Sequence, residues 1–221
     1  MSATHTLTDH RRHVLQRRIR WIVFATIGYN LVEAIVAITA GTIASSAALV
    51  GFGLDSTIEV LSAAVVAWQF TRRDPERWEK GTLRVIAIAF FALAAYVTAS
   101  SLLALIARVE VEHSPVGIAI TALSVVIMPF LSLAERRAGR ELGPATAVAD
   151  SKQTLICTYP SGAVLIGLLL NSLFGWWWVD AIAGLVIAVF AVREGVEAWR
   201  GDACATSVGM ILEDPADHHN D

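Results

Sequence analysis

Charge is scarce in this 221-residue chain. Lysine, arginine, aspartate and glutamate together make up 17% of it, against roughly 25% in an ordinary soluble domain. The shortage makes a soluble enzyme or a disordered chain a poor fit. Basic residues do not exceed acidic ones, and the net charge of −3 argues against nucleic acid or another polyanion as partner. Two cysteines are too few for a disulfide scaffold. No GxxxxGK[ST] run is present, so ATP-driven transport by this chain alone is not expected. No HExxH occurs, and His5, His10, His13, His113, His218 and His219 all lie outside the apolar runs. Hydrolytic metal chemistry and a nucleophile–base pair therefore have no visible carrier, and the chain reads as no enzyme. The first twenty residues are polar, end in the basic run RRHVLQRRIR, and are followed by no small-residue cleavage site, unlike a secretory signal.

What is present is apolar. Hydrophobic residues make up 55% and the mean hydropathy is +0.58. One bilayer crossing takes about 20 apolar residues, so six take roughly 120. Six windows of that kind occur, at about 21–40, 47–70, 85–107, 116–134, 145–174 and 177–199. Lipid cannot satisfy backbone polar groups, so each is expected to be a helix. The short alternating segments of a barrel are absent. The expected fold is all-α: a polytopic membrane protein with six transmembrane helices over 21–200. A basic cytoplasmic segment (1–20) precedes it, and a short disordered cytoplasmic tail (201–221) follows.

Orientation comes from arginine and lysine. Fifteen fall in the N-terminal segment, in the loops after the second and fourth spans, and at the end of the sixth. Only Arg108 falls on the opposite side, and Lys152 lies inside the fifth span. Positive charge stays in the cytoplasm, so both termini are expected there, in the cytoplasmic (plasma) membrane. Trp21, Trp176, Trp177, Trp178 and Trp199 sit at span ends, where an amphipathic ring prefers the headgroup layer.

Ionisable residues inside a span are costly and usually face a bundle interior. Here they are Glu33 in the first span, Asp55 and Glu59 in the second, Asp150 and Lys152 in the fifth, and Asp180 in the sixth. Spans three and four have none. The simplest packing puts spans one, two, five and six around a polar centre, with three and four as a lipid-facing pair. At about 1.5 Å rise per residue, Asp55 levels with Cys157 and Glu59 with Gln153, because the second and fifth spans run in opposite directions. Both pairs are spaced i, i+4, so each shares one helix face. Two carboxylates, an amide oxygen and a thiolate can surround one ion. The sulfur favours a divalent transition metal over Mg2+. Taken singly, Cys157 reads as a packing residue and Gln153 as interhelical glue. Asp55 and Glu59 repel one another and need a cation, a proton or a basic partner. Lys152 is a possible partner, or it snorkels to water.

The stretch GTIASSAALVGFGLDSTIE resembles the first-to-second-span region of cation diffusion facilitators. Gly41, Ser46, Leu49, Asp55 and Glu59 match that family's pattern in order, with Glu59 in place of an aspartate. Ala149 and Asp150 match the family's fifth span, but its His-x-x-x-Asp positions hold Gln153 and Cys157. The run WVDAIAGLVIAVFAVREGVEAWR is similar to the family's last span, and Asn30 and Glu33 have look-alikes in the first spans of some members. Phe52 stands where many members have another aspartate. The resemblance covers about 20–200 and leaves no room for the family's cytoplasmic C-terminal domain, as in a shorter branch that includes vertebrate proteins handling zinc.

The resemblance implies a divalent metal-cation exporter working by alternating access and proton antiport, with no tightly bound cofactor. Zn2+ is the first candidate cargo, and Co2+, Cd2+ and Mn2+ also fit. The implied partners are the bilayer, protons and a second copy of the chain, dimerised through transmembrane helices. The expected metal residues are Asp55, Glu59, Gln153 and Cys157, with Asp150 on the cytoplasmic approach. Coupling has an independent physical basis: these ligands bind metal only when deprotonated, so metal and protons compete. The alternative is a non-transporting regulator or metal-binding protein that kept the transporter fold. His218, His219, Asp214 and Asp217 read as a solvated tail.

Overall fold

In the computed structural model of the chain, six helices follow one another: α1 (Asp9–Ala44), α2 (Ala47–Phe70), α3 (Pro75–Ala107), α4 (Pro115–Leu142), α5 (Pro144–Phe174) and α6 (Trp177–Arg200). The structure describes residues 9–70, 75–142 and 144–201, with side chains at 21, 24–65, 68, 78, 80–131, 133 and 159–201. Each expected apolar window lies in its own helix. Among the described residues, Phe24–Ala44, Ala47–Val65 and Lys80–Ala107 are long and apolar enough to cross a bilayer, and Pro115–Leu131 and Tyr159–Phe174 are shorter apolar helices.

The helices outrun the apolar windows where the flanking sequence remains helix-forming. α1 starts at Asp9, so the basic run continues the first helix rather than standing apart as a separate segment. α3 starts at Pro75, ten residues before Val85. Starts are marked chemically. Proline stands first in α3, α4 and α5, where its missing N–H would have had no helical partner. Ser46 and Ser114 cap α2 and α4, accepting from Leu49 N at 3.0 Å and Gly117 N at 3.1 Å.

The helix pairing corrects one expectation. Spans three and four do not form a lipid-facing pair. α3 packs chiefly on α6 and then on α2, while α4 packs on α5 and α1. Ionisable residues alone were a poor guide, because α4 turns hydroxyls inward. Thr121 and Ser124 are fully buried, and Ser124 lies beside Tyr29 and Glu33 of α1. The α3–α6 pair is held by close approach of small residues instead. A Cβ on Gly195 would lie 2.9 Å from the Phe91 ring. In lipid, where no hydrophobic effect separates helix from tail, such packing drives association. The α1–α2 hairpin uses the same device: a Cβ on Gly53 would lie 2.8 Å from the backbone nitrogen of Ile38.

The apolar core joins Ala37, Leu49, Phe52, Val97, Val164, Leu168 and Ile187, drawn from α1, α2, α3, α5 and α6. Large apolar side chains face outward in every helix, among them Phe24, Ile43, Ile106, Phe130 and Leu173. That is the surface of a protein solvated by lipid. Trp176 and Trp178 stack at 5.6 Å, and Arg84 lies over the Trp199 ring at 5.8 Å. Both tryptophan groups sit at helix ends, as a headgroup belt requires.

One end of the bundle is laced by buried hydrogen bonds. Ser46 donates to Asp180 Oδ1 at 2.5 Å, and Ala48 N donates to Asp180 Oδ2 at 3.3 Å. Glu112 N donates to the Ala44 carbonyl at 3.0 Å, and Asn171 Nδ2 to the Val111 carbonyl at 2.8 Å. The short connections α1–α2, α3–α4 and α5–α6 are thus tied together. Asp180, an intramembrane charge by sequence, has a structural explanation: its carboxylate closes the N-terminus of α2, where free N–H groups and the helix dipole favour a negative charge.

Candidate metal centre

Asp55 and Glu59 project from the same face of α2, one turn apart, and both are half-buried. α1 runs antiparallel to α2 across a two-residue connection, so its residues meet α2 in reverse order. Asn30 therefore falls opposite Glu59 and Glu33 opposite Ser56. Asn30 Nδ2 donates to Glu59 Oε2 at 2.5 Å. Ser56 Oγ donates to Glu33 Oε2 at 2.7 Å and also to the Phe52 carbonyl at 3.2 Å. Glu33 is 1% exposed and Asn30 4%.

A further carboxylate comes from α6. Glu194 acts electrostatically on Asp55 and on Glu59, and Glu33 acts on both as well. Among the described residues, no arginine, lysine or histidine balances Asp55, Glu59 or Glu33. Arg193 pairs with Glu197 at 3.0 Å and reaches only Glu194. The interior is thus an acidic chamber. Four carboxylates from three helices share it, with Tyr29 of α1 and Ser124 of α4 against Glu33. Like charges in a low-dielectric interior are stable only with a cation or with bound protons.

Of the five expected metal residues, Asp55 and Glu59 are in this chamber. Asp150, Gln153 and Cys157 fall within the α5 backbone, but their side chains lie outside the described residues, as does that of Lys152. Among the described residues, no three His, Cys, Asp or Glu side chains converge on one metal position. The α2 pair thus supplies half of a ligand set, with donors still to come from elsewhere. Glu194 escaped the sequence reading because it lies near the end of the sixth span beside Arg193, where charges read as flanking. Its position four turns from Asp180, on the side of α6 that buries Ala188, Ala191 and Gly195, was the available signal. Tyr29 and Ser124, being uncharged at neutral pH, gave none.

The family model for the cation efflux transmembrane domain matches residues 23–200. Among curated relatives, Transmembrane protein 163 of Xenopus laevis is 21% identical over 203 residues, covering 89% of this chain and 72% of the relative. An uncharacterized transporter of Methanocaldococcus jannaschii is 22% identical over 200 residues, covering 86% of this chain and 68% of the relative. The cation-efflux pump FieF of Shewanella oneidensis is 26% identical over 87 residues, covering 39% and 29% respectively.

Proposed function

The chain belongs to the cation efflux family, and from that premise we propose that it carries a divalent transition metal, with zinc the first candidate, in exchange for protons. One observation carries the reading: Asp55 and Glu59 stand half-buried inside a membrane domain among Glu33 and Glu194, with no balancing base among the described residues. A cation cargo relieves that repulsion in one state, and protons relieve it in the other. The same carboxylates cannot hold both, so loading metal expels protons. A site that alternates between the two and opens to each side in turn is an antiporter.

In this reading Asp55 and Glu59 hold the ion with Cys157 and, more weakly, Gln153, while Asp150 stands on the cytoplasmic approach. Both termini lie in the cytoplasm, following the basic residues, the membrane is the plasma membrane, and two copies associate through their helices. The thiol makes the site softer than a carboxylate cage. Cys157→Ser should then weaken Cd2+ and Zn2+ binding more than Mn2+ binding, and Cys157→Asp should shift preference toward harder metals.

The test is metal-stimulated proton flux in liposomes containing the purified chain, run with Zn2+, Co2+, Mn2+ and Cd2+. Flux that responds to at least one metal and vanishes in Asp55→Ala supports the reading. A well-folded wild type that moves none of the four would leave the non-transporting regulator as the better account.

A further inference from the structure

One turn of α1 carries three oxygen atoms that are out of water and without a hydrogen-bond partner among the described residues: Tyr29 Oη, Asn30 Oδ1 and Glu33 Oε1. Buried polar atoms are nearly always partnered, so three on one turn call for an occupant. The other polar atom of each of two groups is already fixed. Asn30 Nδ2 is held by Glu59 and Glu33 Oε2 by Ser56, so neither side chain can turn away to find another partner. Asn30 and Glu33 are spaced i, i+3 and share the face of α1 that meets α2. Their unpartnered oxygens therefore lie at the α1–α2 seam, beside the carboxylate of Glu59 and next to Ser124 of α4.

The geometry points to a second cation position at this seam, formed by Asn30 Oδ1, Glu33 Oε1 and Tyr29 Oη with the carboxylate of Glu59, and suited to a hard divalent ion such as Mn2+. All four donors are oxygens, two of them from carboxylates, and no sulfur or imidazole faces the seam among the described residues. Such a set selects Mg2+, Ca2+ or Mn2+ over soft metals. Water could satisfy the hydrogen bonds, but it cannot balance Glu33 and Glu59 together. A cation does both. The position is distinct from the proposed cargo site with Cys157, although the two share Glu59.

Mn2+ binding to the purified full chain in lipid nanodiscs, followed by the electron paramagnetic resonance of free Mn2+, tests this directly, with Cd2+ as the soft comparison. Glu33→Gln keeps the size and the oxygen that accepts from Ser56 but removes the charge. It is expected to weaken Mn2+ binding by roughly tenfold or more, the scale on which groups around a metal matter, while Cd2+ binding stays within about twofold. Asn30→Asp keeps the ligand oxygen and adds charge facing Glu59. It should hold or tighten Mn2+ binding, whereas Asn30→Leu should weaken it. Unchanged Mn2+ affinity in Glu33→Gln, or equal loss in Asn30→Asp and Asn30→Leu, would overturn the inference. So would a wild type that binds no Mn2+. Absence of metal flux in liposomes, with these binding differences intact, would overturn the transport reading alone.

Discussion

Asn30 reaches across the α1–α2 seam to Glu59, its Nδ2 lying 2.5 Å from Oε2. The contact has a definite polarity. Only the amide nitrogen can face a carboxylate oxygen, so the amide oxygen is turned to the other side and left without a partner. One side chain thus positions a metal-binding carboxylate and presents a donor of its own.

Loss of the Asp55 carboxylate should be the most damaging single change for transport. Asp55→Asn keeps the size of the side chain and removes its charge. Metal-driven flux is expected to fall by at least about 100-fold, beyond the 10–100-fold seen when only a supporting group is lost. The protein should still elute as a single species. Liposome flux together with size-exclusion chromatography checks both halves of this expectation.

Metal binding should release protons, and acid should weaken it. Carboxylates and thiolate bind metal in their deprotonated forms, so lowering the pH from 7 toward 5 shifts the competition toward protons. Apparent Zn2+ affinity should therefore drop steadily across that interval. A weakly buffered sample given Zn2+ should acidify. Titration calorimetry in buffers of different ionisation enthalpy measures the proton count, and a count of zero would contradict the antiport reading.

Gly53→Ala tests how tightly α1 and α2 must approach. The added Cβ would meet the Ile38 nitrogen at 2.8 Å and the Ala34 carbonyl oxygen at 3.1 Å. Backbone atoms cannot swing aside as a side chain can, so the hairpin has to open. Destabilisation of about 1–3 kcal/mol is expected from overpacking of this kind. The Asn30–Glu59 bond should stretch with it, so Mn2+ affinity should fall in the folded fraction. Thermal unfolding in detergent, followed by Mn2+ titration, reads both.

Asp180→Ala should separate structure from transport. Asp180 is 1% exposed and holds Ser46 and the first turn of α2. Losing a charged, buried partner should cost about 2 kcal/mol. Because Asp180 stands apart from Asp55, metal affinity of the folded protein should change less than about twofold, well short of a supporting-group effect. A large affinity loss with normal stability would give Asp180 a role in the site.

The order and extent of the helices were legible from the apolar windows because lipid imposes one length scale and one kind of backbone structure. Which helices touch was not legible from the same residues. Ionisable side chains pointed to Glu33, Asp55 and Glu59 as interior, and all three are. They gave no account of Thr121 and Ser124, which bring α4 against α1, or of Gly195, which lets α6 settle on Phe91 of α3. Close approach depends on what a residue lacks, and a hydropathy window averages that away. Asp180 showed the opposite error: a charge in a span read as part of the polar centre closes a helix end instead.

The lacing at one end of the bundle also biases its conformational balance. Opening the interior toward the Arg108 side means parting Ser46 from Asp180, Ala44 from Glu112 and Asn171 from Val111. At ordinary strengths for two neutral bonds and one charged bond, that is roughly 4 kcal/mol, or about a thousandfold preference in population. The empty protein therefore rests shut on that side. Bound cargo can reverse the preference only by favouring the opposite state by at least the same margin.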